Sequence, residues 1–266
     1  MDNNLKKQNL FLILTATALI SCILTASVMS YPLGGRTFYI SGGPYPRADY
    51  TVSYTDGIYY AKSIEGLMAT YGAGFSVVLQ FCIDNLTEGG AICISPGTFY
   101  TQGVEINITT KGITIFGEGY STKIVIDAEP SHSVFVVTKS NFCLRDLYIN
   151  ATIAKTNGAA VALVGATEFE INLIDRIVTT NEIKNVMIEN QWEGIRLESD
   201  TRMVYITNVD IRNSYDKAIG LNNCSFVYLN KVTTFNWVRP YNYSLHIMNG
   251  YSIYATQCEF LNAQFY

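Results

Sequence analysis

Charge is scarce along this chain, and positive charge is nowhere concentrated. Asp, Glu, Lys and Arg make up 15% of its 266 residues, the net charge is -4, and no basic run exceeds Lys6-Lys7. A surface that neutralises phosphates needs far more than this, so nucleic acid is not an expected partner. Metal-ligand spacing is lacking too. The six cysteines contain no CxxC, and with Cys22 set apart they leave an odd set: Cys82, Cys93, Cys143, Cys224 and Cys258. One or two disulfides fit such a set, and so do free buried thiols. A phosphate-binding loop is also missing. "GITIFGEGYSTKIVID", Gly112 to Asp127, has the glycines for one, but Glu118 stands where the lysine belongs and an alternating strand follows instead of a helix. No cofactor is evident.

What the chain does contain is apolar and β-forming. At 48% hydrophobic residues it has enough for one sizeable folded domain. Lys6 and Lys7 precede an uncharged run from Leu10 to Ser30. That run reads as a cleaved signal peptide, with Val28 and Ser30 as the small residues before the cut, or as an uncleaved anchor holding the chain to a membrane. Lipidation at Cys22 in "LISC" is a third reading. Under each, the body from Tyr31 onward lies outside the cytoplasm, secreted or at the cell surface. Sequons at Asn85, Asn107, Asn150, Asn223 and Asn242 are candidate glycosylation sites and agree with export.

Residues 31–62 begin with Gly-, Pro- and Tyr-rich text and read as a linker or arm. Within "FSVVLQFCIDNL", Val78, Leu79, Cys82, Ile83 and Leu86 recur at helical spacing, which predicts a short helix over 75–86 with Ser76 able to cap it. No second convincing helix follows. Instead an alternating frame repeats: Phe142, Leu144, Leu147, Ile149; Val204, Ile206, Val209, Ile211; Val227, Leu229, Val232, Thr234; Ile253, Ala255, Cys258, Phe260. About eight residues before each copy lies another pair, at Val134/Val136, Ile195/Leu197, Ile219/Leu221 and Leu245/Ile247. Val161/Leu163 opens one more unit, followed by Phe169/Ile171, then by an inserted loop over 172–185, then by Val186/Ile188. The first pairs start at 134, 161, 195, 219 and 245, spacings of 27, 34, 24 and 26.

A unit of three short strands with one apolar face has to stack on its neighbours to bury it. Three strands per turn at this period describe a parallel β-helix, with Asn and Gly at the corners, where left-handed backbone angles cost them little. Asn150, Asn213, Asn236 and Asn262 fall at such corners. A β-sandwich would show hairpin turns without the longer period.

The helix "VVLQFCIDNL", the segment "EGGAICISPGTFY" from Glu88 to Tyr100, and "GITIFGEGYSTKIVID" together resemble the pectate lyase-like family. Its members are right-handed parallel β-helices and include secreted lyases, hydrolases, epimerases and viral tail spikes. The three stretches look like the capping helix, the first coil and the next coil with its Gly-x-Gly corner. The likeness covers residues 54–127, and beyond them the repeat alone carries it. It implies an all-β, single-stranded, right-handed parallel β-helix with a short N-terminal capping helix, spanning residues 63–266.

In such a fold, outward residues at one strand position stack about 4.8 Å apart on successive coils. The frame predicts the columns Phe135, Ala162, Arg196, Gly220, His246; then Cys143, Glu170, Tyr205, Tyr228, Tyr254; then Tyr148, Met187, Asp210, Thr233, Glu259. Tyr205, Tyr228 and Tyr254 could receive sugar rings or pack as a ladder. The resemblance implies a polysaccharide or glycan as partner. A lyase of the family would hold calcium between carboxylates of adjacent coils, and a hydrolase would pair Asp residues near a His. Asp210 has Met187 and Thr233 as column neighbours, and Asn-Thr-Asp, Asp-Asp-Gly, His-Gly and Arg-Ile-Lys are all absent. The catalytic candidates are therefore Glu170, Asp175, Arg176, Arg196 and Asp210, with Glu182 and Lys184 on the same loop. Three functions stand at this point: carbohydrate binding or display at a surface, polysaccharide cleavage, and assembly, including homo-oligomers, through the last coil with its open strand edges.

Overall fold

The computed structural model describes residues 47–166, 180–236 and 243–261. The leader over 1–30, the first part of the arm, and Phe169, Glu170, Ile171, Asp175, Arg176, Asn242 and Asn262 lie outside the described residues. The fold is an all-β parallel solenoid of about six turns with one α-helix.

The chain enters as an antiparallel meander, β1 (Tyr50–Thr55), β2 (Ile58–Ser63) and β3 (Met68–Gly72). Residues 50–55 and 58–63 are thus strand and not linker. Val52 and Ala61 have no exposed surface, and β1 pairs in parallel with the first coil, which is why Gly- and Pro-rich text before them misplaces the boundary. Helix α1 (Phe75–Asn85) follows and closes the end of the lumen with Phe75, Val78, Leu79, Cys82 and Ile83. Its N-cap is Gly74, without a side-chain cap. Ser76 lies inside the first turn, where its buried hydroxyl donates to the carbonyls of Thr101 and Val104 and ties the helix to the first coil.

Two parallel sheets form the coils. The larger stacks β4 (Gly90–Ile94), β7 (Ile113–Phe116), β10 (Cys143–Ala151), β12 (Asn181–Glu189), β14 (Thr201–Arg212), β16 (Cys224–Phe235) and β18 (Tyr251–Thr256). It also takes in β5 (Gly97–Tyr100), β8 (Thr122–Ile126) and β19 (Glu259–Leu261). The smaller stacks β6 (Ile106–Ile108), β9 (Phe135–Val137), β11 (Ala159–Val164), β13 (Glu193–Glu198), β15 (Lys217–Asn222) and β17 (Tyr243–Met248). The second and third strands of the repeat fuse into single bent strands in β10, β12, β14 and β16. Their inward residues align one for one: Val204, Ile206, Val209 and Ile211 pair with Val227, Leu229, Val232 and Thr234, all at most 1% exposed.

Two registers differ from those the alternation predicts. Phe135 and Val137, not Val134 and Val136, pair with Val161 and Leu163. A run in which every residue is apolar gives no alternation to choose by, and a one-residue slip exchanges the faces. The outward column is therefore Val136, Ala162, Arg196, Gly220, His246. Likewise Asn181 and Ile183 pair with Val204 and Ile206, so the second strand of that coil starts at 181 and the insertion precedes it. Residues 181–185 are strand, and Glu182 occupies the column place assigned to Glu170. The polar Asn181 hides this: it is 1% exposed and accepts from the Phe142 amide through Oδ1 at 3.2 Å.

Corners are built from left-handed residues. Asp146, Asn185, Asn208 and Lys231 share positive φ at one bend, and their side chains link along the axis: Asn208 Nδ2 donates to Asn185 Oδ1 at 2.9 Å, and Asn185 Nδ2 to Asp146 Oδ1 at 2.8 Å. Substituting Asn208 by Val puts a branched Cβ at φ +53° and removes the amide link. A loss of about 1–3 kcal/mol is expected in denaturant titrations, with Asn208→Gly costing clearly less. In "GITIFGEG", Ile113 and Ile115 point inward with no exposed surface, and Gly119 turns the corner at φ +73°. All five described cysteines are free.

Candidate functional site

The tyrosine column forms. Tyr205, Tyr228 and Tyr254 pair in register across β14, β16 and β18. Their rings lie nearly parallel, at 8° and 9°, with centroids 4.7 and 5.1 Å apart. Because that spacing is the spacing of the coils themselves, the flat faces of the rings are used on one another. What the ladder leaves open is its row of edges and the outer face of Tyr254, which is 52% exposed. Below Tyr205 the column continues as Glu182 and Cys143, whose thiol donates to Glu182 Oε2 at 3.7 Å. Burial pushes that thiol up to about 12. Lys184 lies 3.8 Å from Glu182.

The ladder stands as a wall between two columns. Two residues upstream are Met203, Phe226 and Ser252, all at positive φ. Two residues downstream are Thr207, Asn230 and Thr256, with the Thr256 hydroxyl donating to Asn230 Oδ1 at 3.2 Å. One flank offers apolar surface at Met203 and Phe226 and the other hydroxyls and an amide.

The charged candidates do not converge. Arg196 belongs to β13 in the smaller sheet, 3.6 Å from Glu198 and 3.9 Å from the buried Glu193, which also receives Lys217 Nζ at 2.9 Å. Asp210 belongs to β14 in the larger sheet. Its column neighbours are Met187 and Thr233, as the frame predicts, but two residues along the strand Arg212 donates to its carboxylate at 2.5 Å. Arg212 also lies 3.6 Å from Glu189, which accepts the Tyr148 hydroxyl. Burial, then that hydrogen bond, push the Tyr148 phenol upward; the Asp210 hydrogen bond raises the Arg212 guanidinium. Glu189, Arg212 and Tyr148 carry no motif that marks them as a group. They become visible only once Tyr148 and Asp210 are placed in one column and Glu189 and Arg212 in the next.

This set does not suit calcium, which takes six or more oxygens, because an arginine already occupies the carboxylate of Asp210. Among the described residues no group of three His, Cys, Asp or Glu is placed to hold a metal ion. His246 sits beyond Gly220 in its column and packs on the Tyr243 ring at 5.2 Å.

Of the sequons, Asn85, Asn107 and Asn223 are exposed, whereas Asn150 is half-buried and its Oδ1 accepts from Asn190 at 2.9 Å. Among the described residues no helix is long and apolar enough to cross a membrane. Lys155 is a deeply placed cation: 3% exposed, it donates to the His132 carbonyl at 2.5 Å, and burial lowers it to about 8 against the pull of Glu105.

No protein-family model matches the chain, and no curated protein matches it. A solved structure of ORF18 from Geobacillus virus E2 is similar over 68% of this chain and 38% of that one, at 14% identity and a TM-score of 0.34. The chain thus spans well under half of that protein's length.

Proposed function

We propose that the protein is an exported β-solenoid, akin to the pectate lyase-like proteins, that binds carbohydrate along the outer face of its larger sheet. The observation that carries this reading is the wall of Tyr205, Tyr228 and Tyr254 with an apolar column on one side and a hydroxyl and amide column on the other. A sugar chain is amphipathic in the same sense: ring C–H faces stack on aromatic and apolar surface, and hydroxyls exchange hydrogen bonds with side chains. The scaffold is rigid and its contacts repeat every coil, which suits a ligand that is itself a repeat.

Changing Tyr205, Tyr228 and Tyr254 to Ala together is expected to abolish retention on a glycan array while the solenoid stays folded. Undiminished array binding would sink the assignment of this face. Cleavage is a weaker reading, since Arg212 occupies the carboxylate of Asp210 and lies beside Glu189; incubation with polyuronates that yields no new ultraviolet absorbance, with or without calcium, counts against a lyase. Self-association is a third reading, for which Ile247 and Leu261, 48% and 45% exposed, offer apolar surface. A strictly monomeric mass in light scattering counts against that.

A further inference from the structure

Left-handed backbone is common at the corners of this solenoid, and nearly everywhere it carries a residue suited to it. Asn141, Asp146, Asn185, Asn190, Asn208 and Asn213 are typical, with Ser, Gln, Glu and Lys at others. Short polar side chains tolerate this conformation because they hydrogen-bond locally, while bulky apolar ones gain nothing from it. Two described residues break the pattern, Met203 at φ +53° and Phe226 at φ +56°, and they stand in one column on adjacent coils. Burial repays only part of the strain at Phe226, which is 43% exposed. Backbone strain kept for only a partial packing return points to a role for the side chain outside the fold.

Its surroundings say what that role is. Phe226 flanks the tyrosine wall, and its ring is not stacked in the ladder, so it has a flat face to offer where the tyrosines have edges. Over three coils the wall and its flanks comprise Met203, Tyr205, Thr207, Phe226, Tyr228, Asn230, Ser252, Tyr254 and Thr256, without a single charge. None of the nine is a cation, and of those beside them Arg202 and Lys184 already face Asp200 and Glu182, which leaves an acidic polymer Lys231 at the bend and little to offset the desolvation of its carboxylates. Resting on the carbohydrate reading above, we infer that the ligand is a neutral glycan laid across the coils, and that Phe226, with Met203 beside it, is the platform on which a sugar ring stacks.

The test is affinity electrophoresis of the full-length chain in a polyoxyethylene detergent, which has no sugar head group. The gels hold glucomannan, galactomannan or a mixed-linkage β-glucan, with polygalacturonate and alginate as acidic counterparts. Phe226→Asn suits the left-handed backbone, so it is expected to leave the melting temperature unchanged or a few degrees higher. It should also weaken binding to a neutral polymer by roughly tenfold or more. Phe226→Tyr keeps a flat ring and should bind within about twofold of the parent. Neutral-polymer binding untouched by Phe226→Asn, a melting temperature that falls with it, or retardation by acidic polymers alone would each overturn this inference. If the triple tyrosine change still removes binding in those cases, the carbohydrate reading survives. No retardation by any polymer overturns both.

Discussion

Replacing Ile206 by Ala is expected to lower the unfolding free energy by about 3–5 kcal/mol, among the largest effects of any single side chain here. Ile206 has no exposed surface and is paired with Ile183 on one coil and Leu229 on the next. Deleting its outer carbons forfeits their transfer free energy and leaves a hole that cannot close. The ladder hydrogen bonds on both sides hold the coils at their spacing, so the neighbours cannot move in. Thr207→Ala, one residue along and facing out, is the control and should cost well under about 1 kcal/mol. Denaturant titration followed by far-ultraviolet circular dichroism measures both. Equal costs at the two positions would contradict the inward and outward assignment. Since each coil contacts only its neighbours, a separate early transition in Ile206→Ala would place the damage in the coils around 183–229.

Alkaline pH should destabilise the protein, with onset near pH 9. Burial raises the thiols of Cys82 and Cys143 to about 12 and those of Cys93 and Cys224 to about 11, each from an ordinary value of 9.0. A group raised on folding keeps more protons in the folded state, so its contribution is complete below pH 9 and is lost as pH climbs towards 11–12. Lys155 works the other way. Its amine falls from 10.5 to about 8 on folding, so the folded state holds fewer protons between those values and stability from this group rises with pH. Four thiols outweigh one amine. A net loss of roughly 3–5 kcal/mol between pH 8.5 and 10.5 follows, because each tenfold difference in proton affinity between the folded and unfolded chain is worth about 1.4 kcal/mol. Midpoints of denaturation at pH 7.5, 8.5, 9.5 and 10.5 would show it. Cys82→Ala should soften the decline and Lys155→Met should steepen it, and a midpoint that rises through pH 10 would refute the scheme.

Much of this architecture is readable in the residues. The pairs from Val204 to Phe260 alternate cleanly because the inward residues are apolar apart from Thr234 and the outward ones in the larger sheet are polar or aromatic, and there the register follows residue for residue. Where that contrast fails, so does the reading. "SVFVV" is apolar at consecutive positions from Val134 on, and alternation alone assigns Phe135 to the wrong face. Asn181 is a polar residue in the lumen, so a search for apolar pairs stops at Phe169 and misses the strand that begins beyond the insertion. The meander over 50–72 lacks the repeat altogether and is hidden behind glycine and proline. At the surface, the tyrosine column is legible as spacing, but the use of the ring faces on one another is not. Nor is the positive φ of Phe226, which depends on how a bend is shared between coils.

The amide chain at the bend of the larger sheet runs one way. Asn208 donates a hydrogen bond to Asn185, which donates one to Asp146, whose oxygen accepts it. An asparagine in this place hands on what it takes, so the row can be lengthened by further asparagines without leaving a group unmet, but it has to begin on an acceptor. Asp146 is that beginning. Copies of the coil around Asn208 could therefore be inserted in tandem and the molecule would grow like a ruler, whereas moving the coil of Asp146 into the middle would cut the row in two.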